Sequence, residues 1–114
     1  MEEFRTARLQ AVEQGREQSR LTMRQAAEKA WLASCEAVDS FIWKEYHIRV
    51  PGSRDAMNVR RRVLVEKRQE DLLDRYRAIR DFLHGDVFYN DQGTTEEIRS
   101  GLVRANEFVE WVAH

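Results

Sequence analysis

Residues 26–42 read AAEKAWLASCEAVDSFI, a stretch whose apolar and small side chains recur every three or four positions. This recurrence is typical of an amphipathic α-helix that buries one face. The alanines and the serine on that face let another helix approach closely, while Trp31 is predicted to anchor the core. The stretch therefore predicts packed helices, and its buried face consists of Ala27, Ala30 or Trp31, Ser34, Val38 and Phe41, widened by Cys35 and Ile42.

Local signals set the ends of this helix and describe the segment before it. Thr22-x-x-Gln25 matches a capping box, so the helix is predicted to span about Thr22–His47. The preceding segment, about Glu2–Ser19, has few large apolar residues and contains Gly15, which disfavours a helix. We therefore expect a short, weak first helix ahead of the main one.

The chain after residue 49 is predicted to form two more helices. Pro51 marks a turn, and a third helix is expected from residue 53 or 54 to about Leu83, a length of ~45 Å. Residues 85–93 are predicted to be a loop, and Thr94-x-x-Glu97 to cap a final helix. The chain is thus predicted to be a single domain, residues 1–114, folded as an all-α, antiparallel up-down four-helix bundle.

The composition excludes several classes of protein. Charged residues make up 34% of the 114 residues and there is one proline, which suits a folded, helix-rich chain. No apolar run approaches the ~20 residues needed to cross a bilayer, and an N-terminus charged from its second residue is not a secretory signal. We therefore expect a cytoplasmic protein without membrane association.

Metal and cofactor sites are not expected. The single cysteine, Cys35, lies on the apolar stripe, and His47, His84 and His114 lack the spacing of metal ligands. The five glycines lie apart from one another, so the sequence contains no glycine-rich phosphate loop. The sequence predicts neither a bound metal nor a cofactor.

Charge is unevenly distributed along the chain. The net charge is −1, but residues 49–84 carry +4 and residues 85–114 carry −4. Such polarity can attract neighbouring helices within one bundle, pair two copies of the chain, or steer an anion toward the middle segment. Arg61 and Arg62 in that segment are candidate contacts for RNA phosphates, although nearby acids such as Glu66 also favour a salt-bridged surface.

The end of the predicted third helix carries the clearest candidate site. At about 100° per residue, Arg77 and Arg80 share a helix face with His84, and Asp81 can pair with either Arg77 or His84. A guanidinium binds phosphate, an imidazole titrates near neutral pH, and a carboxylate can orient that imidazole. These four residues form the candidate catalytic set, which needs no metal.

A structural interpretation explains the same residues. His84 in a last helical turn favours the negative end of the helix dipole, and Arg77 with Asp81 is an ordinary pair four residues apart. Phe88 and Tyr89 are candidate binding residues because aromatic rings stack on bases, but they also suit a lid over the end of the bundle. Spacing alone leaves both interpretations open.

The order of these features resembles one known family. AAEKAW at residues 26–31, the Pro-Gly break, a long helix with arginine and histidine near its end, LHGDVFY at residues 83–89 and a final helix are similar to the HEPN-like helical bundles, closest to their small PaREP-type branch. The resemblance covers about residues 20–112. It implies a domain of four to five helices that often forms a homodimer. Many members are metal-independent endoribonucleases, while others bind nucleotides or have lost catalysis.

The ribonuclease branch of that family has an arginine, a polar residue directly after it, and a histidine after four to six intervening residues. Arg77 has six residues before His84 but is followed by Ala78, whereas Arg80 is followed by Asp81 but has three residues before His84. The resemblance implies that one arginine holds phosphate while His84 handles the proton of an attacking 2′-hydroxyl, in two sets that meet across a dimer. The alternative is a non-catalytic module that binds a protein partner or a second copy of itself.

Overall fold

The computed structural model describes the backbone of residues 2–114 and the side chains of residues 5–114. Within that range the chain contains helices and no strand, which confirms the predicted all-α fold. The elements are α1 (Glu2–Tyr46), α2 (Ala56–Glu66), α3 (Glu70–Ile79), a π-helix that we call the π segment (Arg80–Tyr89) and α4 (Thr95–Ala113).

Helix α1 is one continuous helix of 45 residues, so the predicted division into a short first helix and a second one starting at Thr22 is wrong. The Thr22 hydroxyl does not cap a helix but donates to the Gln18 carbonyl, 3.0 Å away, as threonine does inside a helix. Gly15 alone does not interrupt α1, because glycine costs only about 1 kcal/mol relative to alanine. The side chains of residues 5–19 are exposed, and we call this part of α1 the N-terminal arm.

The stretch formed by α3 and the π segment runs antiparallel to α1. Tyr76 packs on Trp31 with ring centroids 5.0 Å apart, and further along the chain His84 contacts Glu28. The chain then turns, and α4 runs back in the direction of α1, on which it packs along most of its length. Helix α1, the stretch of α3 with the π segment, and helix α4 therefore alternate in direction, as predicted for an up-down bundle.

Helix α2 departs from that order. The connection 47–55 folds back along α1, with residues 48–50 beside residues 39–43, so α2 packs on the C-terminal part of α1 and follows its direction. Two contacts define this direction: Arg60 bonds Asp39, and Gln69, which follows α2, bonds the Tyr46 hydroxyl. Strict up-down topology is therefore wrong for this one element, because the connection is long enough to return.

The predicted third helix is divided, because the chain leaves the helix between α2 and α3. Arg68 has φ = +57°, the left-handed conformation that usually favours glycine. Its N–H donates to the Val65 carbonyl at 3.1 Å, and the N–H of Gln69 donates to the Leu64 carbonyl at 2.8 Å, which is the pattern of a Schellman motif. With arginine in place of glycine, the sequence contains no clear signal for this helix end.

Replacing Arg68 with glycine should stabilise the fold. A left-handed conformation costs a residue with a Cβ atom about 1 kcal/mol, a cost that glycine avoids. Glycine also increases the freedom of the unfolded chain, so we expect a net gain of about 0.5 kcal/mol in the free energy of unfolding, measured by urea denaturation. Arg62→Gly, at an exposed position inside α2, is the matched control and should lower stability by about 1 kcal/mol. Equal losses in both variants would contradict this account of Arg68.

Helix α3 continues into the π segment, so residues 85–89 are helical. The loop predicted at residues 85–93 is therefore wrong for its first half. In a π-helix each N–H bonds the carbonyl five residues earlier, which makes the turn wider than in an α-helix. A Cβ atom at Gly85 would meet only the Arg80 carbonyl, at 3.8 Å, and Gly85 does not have a left-handed backbone. Glycine is therefore not required there, and it does not break the helix. Such π-helices are rare and are often found at functional sites.

The turn after the π segment leads into the predicted helix cap. Asp91, at φ = +52°, and Gly93, at φ = +100°, take left-handed conformations that reverse the chain. The Thr94 hydroxyl accepts from the N–H of Glu97 at 3.1 Å, and the Glu97 carboxylate accepts from the N–H of Thr94 at 2.9 Å. These bonds form a capping box, lower the pKa of Glu97, and confirm the predicted start of α4.

The core is built around residues 26–42, as predicted, with Phe41 only partly buried. The apolar spacing of the predicted third helix also placed Val65 in the core, which is wrong, since its side chain is 50% exposed. Helix α4 packs closely on the π segment at Gly101, where a Cβ atom would lie 2.7 Å from the ring of Phe82. The other elements contribute Val63, Leu64, Leu72, Leu73, Tyr76, Ile79, Leu83, Val87, Ile98, Ala105 and Phe108.

Candidate functional site

His84 faces α1 from the π segment and is paired with an acid there. Its Nδ1 atom lies 2.7 Å from Oε2 of Glu28, and the two side chains are 27% and 20% exposed. A carboxylate only accepts hydrogen bonds, so Nδ1 carries the hydrogen, and in the neutral form of the imidazole Nε2 keeps its lone pair. Within the described side chains and backbone, Nε2 has no hydrogen-bond partner. The imidazole can therefore accept a proton from a ligand.

Aromatic rings surround this imidazole on several sides. Trp31 lies at 5.6 Å between centroids, Phe88 stacks at 6.1 Å with an angle of 10°, and Tyr89 meets the imidazole edge-on at 4.9 Å. Tyr89 is 67% exposed, so a large ring stands beside the imidazole with much of its surface in solvent. The structure thus brings together His84 and both aromatic residues of the sequence-based set.

The other members of the predicted catalytic set are placed differently. Arg80 pairs with its neighbour Asp81, with Nη2 and Oδ1 2.9 Å apart, and the expected pair of Arg77 with Asp81 is not formed. Among the described residues, no hydrogen bond or ion pair joins any of these three to His84. The prediction assumed about 100° of rotation per residue, as in an α-helix. Residues 80–89 form a π-helix with wider turns, so that rotation does not apply there.

Glu28 is the residue that sequence reasoning missed. It takes the orienting role that had been given to Asp81, but it lies 56 residues before His84, so helical spacing cannot connect them. A weak signal was present. Glu28 comes directly after Ala27 and three residues before Trp31, next to the buried stripe, and a charged side chain beside such a stripe needs a partner.

Two arginines on α1 bind the end of the π segment and the turn that follows. Arg20 donates from Nε to Asp91 Oδ1 at 2.7 Å, from Nη2 to the Asp91 carbonyl at 2.9 Å, and from Nη1 to the Gly93 carbonyl at 2.8 Å. Arg24 donates from Nε and Nη2 to the Phe88 carbonyl at 3.0 and 2.6 Å, and its guanidinium lies over the Phe88 ring. These bonds hold the aromatic residues against α1.

The candidate RNA contacts on α2 lie away from His84. Arg61 and Arg62 are exposed, and α2 packs beside residues 39–46 of α1. Glu28 lies at least 11 positions earlier on α1, about 16 Å along the helix. The basic face of α2 and the imidazole of His84 are therefore two separate features of this fold.

Arg60, adjacent to those two, is buried and not part of the basic surface. Its guanidinium bonds both carboxylate oxygens of Asp39 and the hydroxyl of Tyr76. Burial acts to lower the pKa of Arg60, but the hydrogen bonds to Asp39 and Tyr76 outweigh it and raise the pKa. Burial raises the pKa of the nearby Cys35 thiol to about 11, so that thiol stays protonated and is a poor nucleophile.

No family model, curated protein or solved structure matches the chain. Across residues 2–114, no helix has the length and apolar character to cross a membrane. Nor do three His, Cys, Asp or Glu side chains converge on a metal-sized position in the described part of the chain. The contacts around His84 are therefore the features of this chain that bear on its function.

Proposed function

We propose that this domain binds RNA or a nucleotide beside His84, and that the pair of Glu28 and His84 serves as an acid–base group in metal-independent RNA cleavage. One observation carries the proposal: Glu28 holds Nδ1 of the imidazole while Nε2 is without a partner among the described residues. The same arrangement of carboxylate and imidazole orients histidine bases in other proteins. An imidazole fixed in this way can take the proton of a 2′-hydroxyl that attacks the neighbouring phosphate.

The surroundings of the imidazole suit a nucleotide. Tyr89 offers an exposed ring on which a base can stack, and stacking of this kind is tolerant of base identity. Arg77 and Arg80 remain the candidate phosphate ligands, and Arg80 would exchange its bond to Asp81 for one to phosphate. The resemblance to HEPN-like domains, which include metal-independent ribonucleases, supports the same function.

The proposal is tested with short fluorescent RNAs at low salt, because phosphate contacts weaken as salt rises. Wild-type protein in the presence of EDTA should bind and cleave the RNA. His84→Ala should reduce cleavage by about 10²-fold or more while leaving binding largely intact, since the histidine acts on the proton. His47→Ala, at an exposed histidine, is the matched control and should retain activity. A folded wild-type protein that neither bound nor cleaved RNA or nucleotides would overturn the proposal.

A second candidate is an interaction module that binds a protein partner or forms a homodimer. A groove of about 680 Å³ with a largely apolar floor supports it, and Trp111 at its edge is 43% exposed. Exposed apolar surface of this kind is common at protein interfaces. The groove is lined on α1 by Ala33, Ala37 and Ser40 and on α4 by Val109, Trp111 and Val112.

Sedimentation and binding measurements separate the two candidates. Under the second, Ala37→Glu should disrupt self-association or partner binding, because it places a charge in the groove, whereas His84→Ala should have no effect. A monomeric wild-type protein that binds RNA, and is unaffected by Ala37→Glu, would favour the first candidate instead.

A further inference from the structure

Two guanidinium groups on α1 converge on one carboxylate oxygen. Oδ1 of Asp91 lies 2.7 Å from Nε of Arg20 and 3.9 Å from Nε of Arg24. The two arginines are one helical turn apart on the same face of α1, which places both side chains toward the turn after the π segment. Two positive charges therefore share one negative charge, which leaves this cluster with an excess of +1.

The position of Asp91 matches that of a bound anion. Its carboxylate is half exposed, and its backbone takes a left-handed conformation. The side chains of Arg20 and Arg24 are 29% and 33% exposed, so a ligand in solvent can reach them. Nη1 of Arg24 has no hydrogen-bond partner among the described residues, and it could donate to an additional acceptor.

The guanidinium groups are the donors that this cluster can offer to an anion. The backbone N–H groups of Asn90, Asp91 and Gln92 are already bonded to carbonyls of the π segment. Such N–H groups would otherwise form an anion-binding concavity at a turn of this type. Recognition must therefore come from arginine side chains, whose planar forks fit the oxygens of a phosphate.

We propose that Arg20 and Arg24 form a binding site for a phosphate group, which the side chain of Asp91 fills in the free protein. A phosphate would displace the carboxylate from between the two guanidiniums and also use the free Nη1 of Arg24. The proposal rests on the proposed function for the identity of the whole ligand, an RNA or nucleotide. Arg24 and Glu28 are one turn apart on α1, about 6 Å, so a phosphate here lies next to the imidazole site.

The relation to Phe88 makes this site part of the same surface. Arg24 bonds the Phe88 carbonyl, its guanidinium lies 5.9 Å from the centre of the Phe88 ring, and that ring stacks on His84. A ligand whose phosphate binds Arg24 therefore has its sugar and base within reach of His84 and Tyr89. Asp91 sets the affinity of this site, because it competes with every anion that approaches the two arginines.

The test is titration of the protein with inorganic phosphate, followed by NMR on the Nε–Hε signals of Arg20 and Arg24. Asp91→Asn removes the charge but keeps a side chain that tolerates a left-handed backbone. We expect this variant to bind phosphate about fivefold more tightly than wild type, because it removes the repulsion from one negative charge about 4 Å away in water. Asp71→Asn is the matched control, since it makes the same change in net charge at the exposed pair of Asp71 with Arg75.

A purely structural role for Asp91 predicts no gain in phosphate affinity. If the carboxylate only fastens the turn to α1, Asp91→Asn should loosen the turn and bind phosphate no more tightly than wild type, and this result would overturn the proposal. An equal gain in Asp71→Asn would also overturn it, because it would show a general charge effect. If Asp91→Asn does not fold, Asp91→Gly replaces it, since glycine takes φ = +52° without strain.

The phosphate titration is independent of RNA cleavage. A fivefold gain in Asp91→Asn without any RNA binding or cleavage by wild type would retain the phosphate site and reject the proposed function. RNA cleavage that depends on His84, without a gain in phosphate affinity in Asp91→Asn, would retain the proposed function and reject the phosphate site. Arg24→Gln added to Asp91→Asn should abolish the gain, whereas Arg75→Gln should leave it unchanged.

Discussion

Replacing Arg60 with leucine should lower the free energy of unfolding by about 3 kcal/mol. Arg60 is 8% exposed, and its Nε and Nη2 atoms bond the two oxygens of Asp39 at 2.6 and 2.9 Å. Loss of one partner of a buried ion pair costs about 3–5 kcal/mol, because the remaining charge is left without compensation. We expect the lower end of this range, since the Asp39 side chain is 33% exposed and water can reach it. Urea denaturation measures the change.

The neighbouring Arg61→Leu is the matched control for this prediction. It makes the same substitution at an exposed position on the same helix and should change stability by no more than about 0.5 kcal/mol. The double variant of Asp39→Leu with Arg60→Leu tests the mechanism, because it removes both charges. It should recover much of the loss. A double variant less stable than Arg60→Leu alone would show that packing, and not an unpaired charge, explains the effect.

The second large effect is expected for Glu28→Gln. The substitution keeps the size of the side chain but removes the negative charge that fixes Nδ1–H of His84. If the domain cleaves RNA as proposed, the rate of cleavage should fall by about 10–100-fold, as is typical for loss of a residue that orients a histidine. The affinity for RNA should stay nearly constant, so the loss should appear in kcat and not in KM.

Two further measurements define the role of Glu28. Glu36→Gln, at an exposed position two turns further along α1, is the matched control and should retain full activity. The imidazole ¹⁵N shifts of His84 report which nitrogen carries the hydrogen, and they should indicate Nδ1–H in wild type and a mixture of tautomers in Glu28→Gln. Unchanged shifts in the variant would contradict the assignment of Glu28 as the orienting residue, whatever the activity.

The helical stripes could be predicted because each one depends on residues close together in sequence. Residues 26–42 and the capping box at Thr94 both gave the correct local structure. The continuity of α1 through Thr22 and the end of α2 could not be predicted in the same way. Thr22 has the same side chain whether it caps a helix or bonds a carbonyl inside one, and Arg68 ends α2 in a conformation usually taken by glycine.

The candidate site was harder to predict from the sequence, since its key contact, between Glu28 and His84, joins residues far apart in the chain. His84 was identified from its residue type and position, but helical spacing of 100° per residue does not hold in the π segment. Nothing local predicts that α3 changes to wider turns at Arg80, or that Glu28 lies opposite His84. Phe88 and Tyr89 were found because aromatic residues between two helices must pack on the end of a bundle or face a ligand.

The central place of α1 has a consequence for how the protein is made. Among the helices of this domain α1 is synthesised first, yet it packs most extensively on α4, which emerges from the ribosome after the other three. Until α4 is present, the apolar face of α1 around Ala27 and Val38 is only partly buried. Contacts between α1 and α4 join residues far apart in sequence, and such contacts form late in folding. The domain is therefore expected to reach its native packing only after α4 has been synthesised, and chaperones that bind exposed apolar helix faces would encounter α1 before α4 does.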